Sequence, residues 1–275
     1  MFWKMEIMEQ QQLDKFKAWL DSYTAGFYGD DAFVNANIKL KDEHSRRVCG
    51  EMLYLTRQLG LSDEQKLTAE AIALLHDVGR FEQFAKYRTY NDVRSINHSL
   101  LGVEVLREEK VLDGVDEEEK QIIEKAIEYH GLRKLPSDLD GQSLLFSQLI
   151  RDADKLDIFY VVTEYYARYR DEPQDFMLEL EFPDEPKYSQ DVIEKLLRRQ
   201  RIDYKALSTL NDVKLLQLGW VYDVNFSATL RRIKERRFLE KLIGFLPQTV
   251  DIERVRKTVF GYVDSTIEEN ERGLL

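Results

Sequence analysis

The chain contains a single cysteine, Cys49, in 275 residues. A disulfide scaffold and any zinc site built on thiolates are thereby excluded, and a reducing, cytoplasmic setting is expected. Proline and glycine are scarce, at 5 and 13 residues, so the turn signals that separate short strands are few. No apolar run approaches the roughly 18 residues that cross a bilayer, and no membrane partner is expected. The first nine residues carry Lys4, Glu6 and Glu9 among their apolar neighbours, a pattern unlike a secretory signal. Acidic residues outnumber basic ones, 51 to 40, for a net charge of −11. General nucleic-acid binding needs a basic surface and is not expected either. Basic residues do cluster at Arg198, Arg199 and Arg201, and again at Arg231, Arg232, Lys234, Arg236 and Arg237. Solvated helix faces are the simplest account of both clusters.

What remains is helix. Apolar residues make up 43% of the chain, enough for a core, and they recur at helical spacing with no convincing alternation and no internal repeat. The expected fold class is all-α. Helices are predicted over residues 4–23, up to Leu59 with Gly60 as C-cap, and from a Ser62–Gln65 capping box to Asp77. Further helices are predicted over 98–110, from Asp116 to His130, and over 142–170, while 86–97 reads as an ordered loop. Residues 171–188 hold Pro173, Pro183 and Pro186 and mark the expected boundary. It separates a helical region of residues 1–170 from a C-terminal helical region of residues 189–275. That second region is expected to carry helices near 189–200, 211–244 (with Gly219 as a breaking point) and 249–270. Its aromatic residues Trp220, Tyr222 and Phe226 are better explained by core packing than by a ring-binding pocket.

The four histidines stand apart from this background. His44 aligns with Val48, Met52, Leu55 and Leu59, and His76 ends a stripe of Leu67, Ala71, Leu74 and Leu75. His98 begins a stripe with Leu101, Gly102 and Val105, and His130 closes one of Ile122, Ile123, Ala126 and Ile127. Asp77 and Asp154 share the inward orientation, the latter through Ile150, Ile158 and Val161. Core packing or capping would have to account for each of the six separately, and an inward aspartate is costly unless it is paired or bound. One metal centre accounts for all six.

Imidazole and carboxylate donors without thiolate suit Fe, Mn, Zn, Co or Mg. His44, His76, Asp77 and Asp154 form one ligand set, leaving His98 and His130 for a second ion with Asp77 as the bridge. Two such ions would acidify a hydroxide for attack at phosphorus and polarise the phosphoryl oxygens. Helical neighbours diverge by about 100°. His76 and Asp77 can therefore share an ion only where the helix loosens, and Gly79 follows two residues later.

The order of these residues resembles the HD-domain superfamily. The likeness rests on a lone His44, the doublet His76-Asp77 before Val78-Gly79-Arg80, then His98, His130, and Asp154 within Ala153-Asp154-Lys155-Leu156-Asp157. It covers about residues 35–165. It implies an HD-domain-like helical bundle with additional C-terminal helices, and a phosphohydrolase that depends on one or two divalent metal ions. His44, His76, Asp77 and Asp154 match the family's basic metal set, and His98 and His130 match the extra histidines of its two-metal subgroups. The implied substrate is a small phosphorylated one, a nucleotide or metabolite, attacked by a metal-activated hydroxide with Asp77 central to catalysis.

Arg80 stands where the family often has lysine. With Lys155 it is the expected cationic anchor and catalytic cation for phosphate, although an ion pair with Glu82 competes for it. Arg94, Ser95 and Asn97, with Lys86 and Arg88, lie in the loop before His98 at the expected pocket mouth. Two other classes stay open. A di-iron oxygenase on the same fold would consume oxygen, and a non-catalytic nucleotide-binding regulatory module would return its ligand unchanged.

Overall fold

In the computed structural model, residues 8–139, 141–171 and 182–273 are described. They are helical, with no strand among them. Several helices begin where a side chain satisfies backbone donors that the first turn leaves free. Asp31 accepts from Phe33 and Val34 to open α2 (Ala32–Gln58). Ser62 and Gln65 form the expected capping box of α3 (Asp63–Leu75). Asn97 opens α5 (His98–Glu108) and Asp116 opens α6 (Glu117–Tyr129). α1 (Gln10–Ala25) precedes them, α4 (Gly79–Tyr87) lies between α3 and α5, and α7 (Gly141–Asp171) follows α6.

The chain divides into two compact units, Met1–Asp157 and Ile158–Leu275. The division falls inside α7, whereas the prolines point to 171–188, a segment largely outside the described residues along with Pro173. In the first unit α2 packs on α3 and α4, α1 and α6 pack on α3, and α5 packs on α4 and α6. The core they enclose includes Leu13, Leu20, Ile38, Met52, Ile72, Phe81 and Phe146, all fully buried. Removing each such side chain from water contributes about 1.5–3 kcal/mol. On α7, Phe146, Leu149, Ile150, Ala153 and Leu156 form a buried stripe that carries Asp154 and Asp157 on the same face.

In the second unit α8 (Gln190–Leu197) and α10 (Ser227–Glu235) pack on α12 (Val250–Glu271), and α9 (Leu210–Gly219) and α11 (Phe238–Gly244) pack on each other. The helical stretch expected over 211–244, with Gly219 as a breaking point, is three helices: the break after Gly219 is present, and a second one falls at Arg237. A 3₁₀ turn at Trp220–Asp223 follows Gly219, and Arg237 breaks the chain again in the left-handed region at φ 55°. Trp220 sets its ring edge against Phe159. Asp212 holds the segment before α8 in place, accepting from Ser189 and Ser208 through both backbone and side chain. The basic clusters are met by acids: Arg198 by Glu194, Arg231 by Glu271, Arg232 by Glu235 and Lys234 by Asp264. Among the described residues no helix is long and apolar enough to cross a membrane.

Candidate metal centre

α3 ends at Leu75, two residues earlier than its apolar period suggests, and the chain turns through His76, Asp77 and Val78 before α4 starts at Gly79. The turn is tight, with Val78 N–H donating to Leu75 and Arg80 N–H to Asp77. Two adjacent side chains thereby reach one point. Gly79 makes the turn compatible with α5, because a Cβ there would stand 2.2 Å from the His98 carbonyl oxygen and 2.6 Å from the Gly102 nitrogen. No side chain fits such an approach.

All four histidines are buried, at 7% exposure or less, and all four use Nδ1 in the same way. His44 Nδ1 lies 2.7 Å from Asp157 Oδ2, and His98 Nδ1 lies 2.7 Å from Asp92 Oδ2. His76 Nδ1 lies 2.7 Å from the Ala73 carbonyl, and His130 Nδ1 lies 2.6 Å from the Ile127 carbonyl. Carbonyls and carboxylates cannot donate, so each Nδ1 carries a proton, and each ring turns its Nε2 inward.

The four Nε2 atoms converge on Asp77. Its Oδ2 lies 3.4 Å from His44 Nε2 and 3.6 Å from His76 Nε2, while its Oδ1 lies 3.5 Å from His98 Nε2 and 3.6 Å from His130 Nε2. Asp154 Oδ1 completes the first half, 3.1 Å from His44 Nε2 and 3.8 Å from His76 Nε2.

This donor set fits divalent ions on two observations. His44 Nε2 and His76 Nε2 are buried without a hydrogen-bond partner, a costly state for a polar atom with no ligand. His98 Nε2 and His130 Nε2 face each other at 3.0 Å, where two lone pairs repel unless a cation or proton lies between them. Three groupings of these residues have metal-binding proximity: His44, His76 and Asp77; His76, His130 and Asp154; and Asp77, His98 and His130. The six sequence-derived candidates are thus brought together.

Cations surround the cluster. Lys41 places its ammonium 2.8 Å from Asp77 Oδ2. Burial would raise the Asp77 carboxyl, but Lys41 and the imidazoles hold it well below the usual carboxylate range. Burial opposes ionisation of Asp154 too, and His44 and His76 hold it well below the usual carboxylate range. Burial and Arg80 together push His98 down to about 4, which keeps it neutral. The Asp154 and Lys41 side chains, 19% and 17% exposed, form the edge of the cluster that water reaches.

The remaining sequence candidates are placed as follows. Arg80 spends one guanidinium nitrogen on Gln83, the Tyr90 carbonyl and Asp92, while its Nε lies 3.5 Å from Asp77 Oδ1. Its grip is on the carboxylate that orients His98, and no ion pair with Glu82 forms among these contacts. The side-chain oxygen of Asn97 caps α5 by accepting from Ser99 and Leu100. Ser95 donates to the Asn91 carbonyl and accepts from Gln83. Arg94 is exposed on the loop, and Lys155 is half-buried next to Asp154.

The sequence reading missed Lys41, Asp92 and Asp157. Lys41 and Asp157 were within reach of it, each three residues from a ligand on the same inward stripe. Asp92 sits in a loop, where no period marks a direction.

Fold and cluster together define an all-helical domain built around a histidine–aspartate centre with the donors of a divalent-metal site. Residues 42–158 match the HD domain family, consistent with the resemblance of the histidine and aspartate order to the HD-domain superfamily. No curated protein and no solved structure shows a match to the chain.

Proposed function

We propose that the chain is a metal-dependent phosphohydrolase acting on a nucleotide or another small phosphorylated metabolite. One observation carries the reading: a single buried carboxylate, Asp77, presents one oxygen to each of two histidine pairs. That is the arrangement of a bridging ligand, and the HD superfamily that supplies it is mostly metal-dependent phosphohydrolases. Divalent ions held there by His44, His76, Asp77, Asp154, His98 and His130 would supply an acidified water and a Lewis acid for a phosphoryl oxygen.

The chain's own residues do the rest. Asp157 and Asp92 hold the His44 and His98 rings so that Nε2 faces the cluster. Arg80 keeps Asp92 ionised and in place. Against the cost of burial, the hydrogen bond from His98 and the Arg80 charge hold Asp92 at about 2. Lys41 stands at the water-accessible edge and Lys155 directly follows Asp154, which makes them the cations that meet an incoming phosphate. The surrounding core excludes bulk water and strengthens each of these interactions.

Phosphate release from nucleoside phosphates, sugar phosphates and an aryl phosphate, each with Mn, Fe, Co, Zn or Mg, tests the proposal. Activity is expected with at least one metal and one substrate class. Asp77→Ala is expected to lower that activity to background and to reduce the metal content per chain. An unchanged rate in Asp77→Ala, or oxygen uptake in place of phosphate release, would overturn it.

A further inference from the structure

The second unit buries a charge that the metal centre does not use. Lys214, on α9, is 7% exposed. Its ammonium donates to Asn211 Oδ1 at 3.2 Å and to the Phe245 carbonyl at 3.1 Å, and it lies 5.2 Å from the centre of the Tyr166 ring. All three partners are neutral. Among the described residues no carboxylate comes within ion-pairing distance of it, and burial pushes its pKa down against a more distant pull from Asp184. An uncompensated buried ammonium is unfavourable, and protein interiors usually pair such a group.

Its surroundings are fixed. Asn211 gives both amide protons away, to the carbonyls of Glu185 and Lys187, which aims its oxygen at Lys214. The Tyr166 hydroxyl donates to Gln217 at 3.0 Å, which holds the ring in place. Lys214 lines a cavity of about 500 Å³ whose walls include Tyr166, Tyr169, Phe245, Leu246 and Pro247. That volume suits a small organic ligand, and the walls have the mostly apolar character of ligand pockets.

We propose that this cavity is a binding site for a small carboxylate with a flat apolar body. The carboxylate would pair with Lys214 and the body would lie against Tyr166 and Phe245. Arg170, which also lines the cavity, is paired with Asp171, so the single negative charge of a carboxylate balances the ammonium that has no acidic partner. A phosphate dianion would bring a second negative charge toward Asp184 and Glu185, which line the same cavity. The site lies wholly within the second unit, and its assignment is independent of the reaction proposed for the metal centre.

Calorimetric titration of the full chain with phenylacetate, phenylacetamide and inorganic phosphate tests this. Phenylacetate is expected to bind saturably. Phenylacetamide has the same shape without the charge and is expected to bind about tenfold more weakly or worse. Lys214→Met is expected to cost phenylacetate a similar factor while circular dichroism shows an unchanged helix content. A second measurement on the wild-type chain does not depend on that variant folding: phenylacetate is expected to slow acylation of Lys214 by a succinimidyl ester, read by mass spectrometry of the peptide. Absent saturable binding, equal binding by Lys214→Met or by phenylacetamide, preference for inorganic phosphate, or unchanged labelling would each overturn the proposal.

Discussion

The Nδ1 of His44 donates to an Asp157 carboxylate that Arg47 grips from the other side, Nε at 2.7 Å from Oδ1 and a terminal nitrogen at 3.1 Å from Oδ2. His98 is held in the same manner by Asp92, which Arg80 and Gln83 secure. A carboxylate behind a ligating imidazole fixes its tautomer and raises its basicity, and losing such a partner weakens metal binding by about 10–100-fold. The two carboxylates serve different halves of the cluster. Asp157→Asn should therefore weaken the ion held with Asp154, and Asp92→Asn the ion held with His130. Both substitutions preserve shape. Competition titration with a chromophoric chelator resolves the two sites. Loss of the same single site in both variants, or of neither, would show that the halves are not independently tuned.

At the level of helices and turns, the glycines separate geometry from propensity. Gly79 has backbone from α5 where its Cβ would be, so Gly79→Ala forces α4 and α5 apart. Overpacking of this kind costs about 1–3 kcal/mol, and it displaces His98, so denaturation midpoint and metal content should fall together. Gly261 lies inside α12 with nothing within 4 Å of a Cβ. There Gly261→Ala should stabilise by about 0.5–1 kcal/mol, read as a higher urea midpoint at unchanged m.

Much of the helical order was legible in the sequence. Ser62, Gln65, Asp116 and Gly60 are local signals, and the apolar period marks which face of α2 or α7 turns inward. That period is also why the six inward histidines and aspartates could be grouped. It says nothing of partners across the fold: His44 meets Asp157 at a separation of 113 residues and Lys41 meets Asp77 at 36. The break after Gly219 was marked by that glycine, whereas the one at Arg237 was hidden for a different reason. The apolar pattern carries no glycine or proline at Arg237, where the backbone turns left-handed.

Across the whole molecule, the cluster sets how stability and metal affinity respond to pH. Burial and Lys41 both oppose a proton on His44, but Asp154, Asp157 and Asp77 outweigh them and raise its pKa to about 10. Without metal, that proton and the Lys41 ammonium supply the positive charge the buried carboxylates require. A histidine whose folded pKa lies above the ordinary 6.5 contributes stability that is fully present below 6.5 and is lost as pH rises through about 10. The melting temperature of the metal-free chain should fall over that window, and His44→Gln should flatten the fall. Asp77 and Asp154 have the opposite sign. Their folded values lie below the usual 3.8, so their contribution is present above 3.8 and is lost only as acid carries the pH down through the folded values. Metal must displace the His44 proton to use its Nε2, so affinity for Mn should rise by roughly tenfold per pH unit between about pH 7 and 9. His98, held near 4, has no proton to release in that range. Proton release measured in two buffers of different ionisation enthalpy should therefore approach one per first ion bound. Affinity flat with pH would mean that His44 is already neutral and that Lys41 and Arg80 balance the carboxylates.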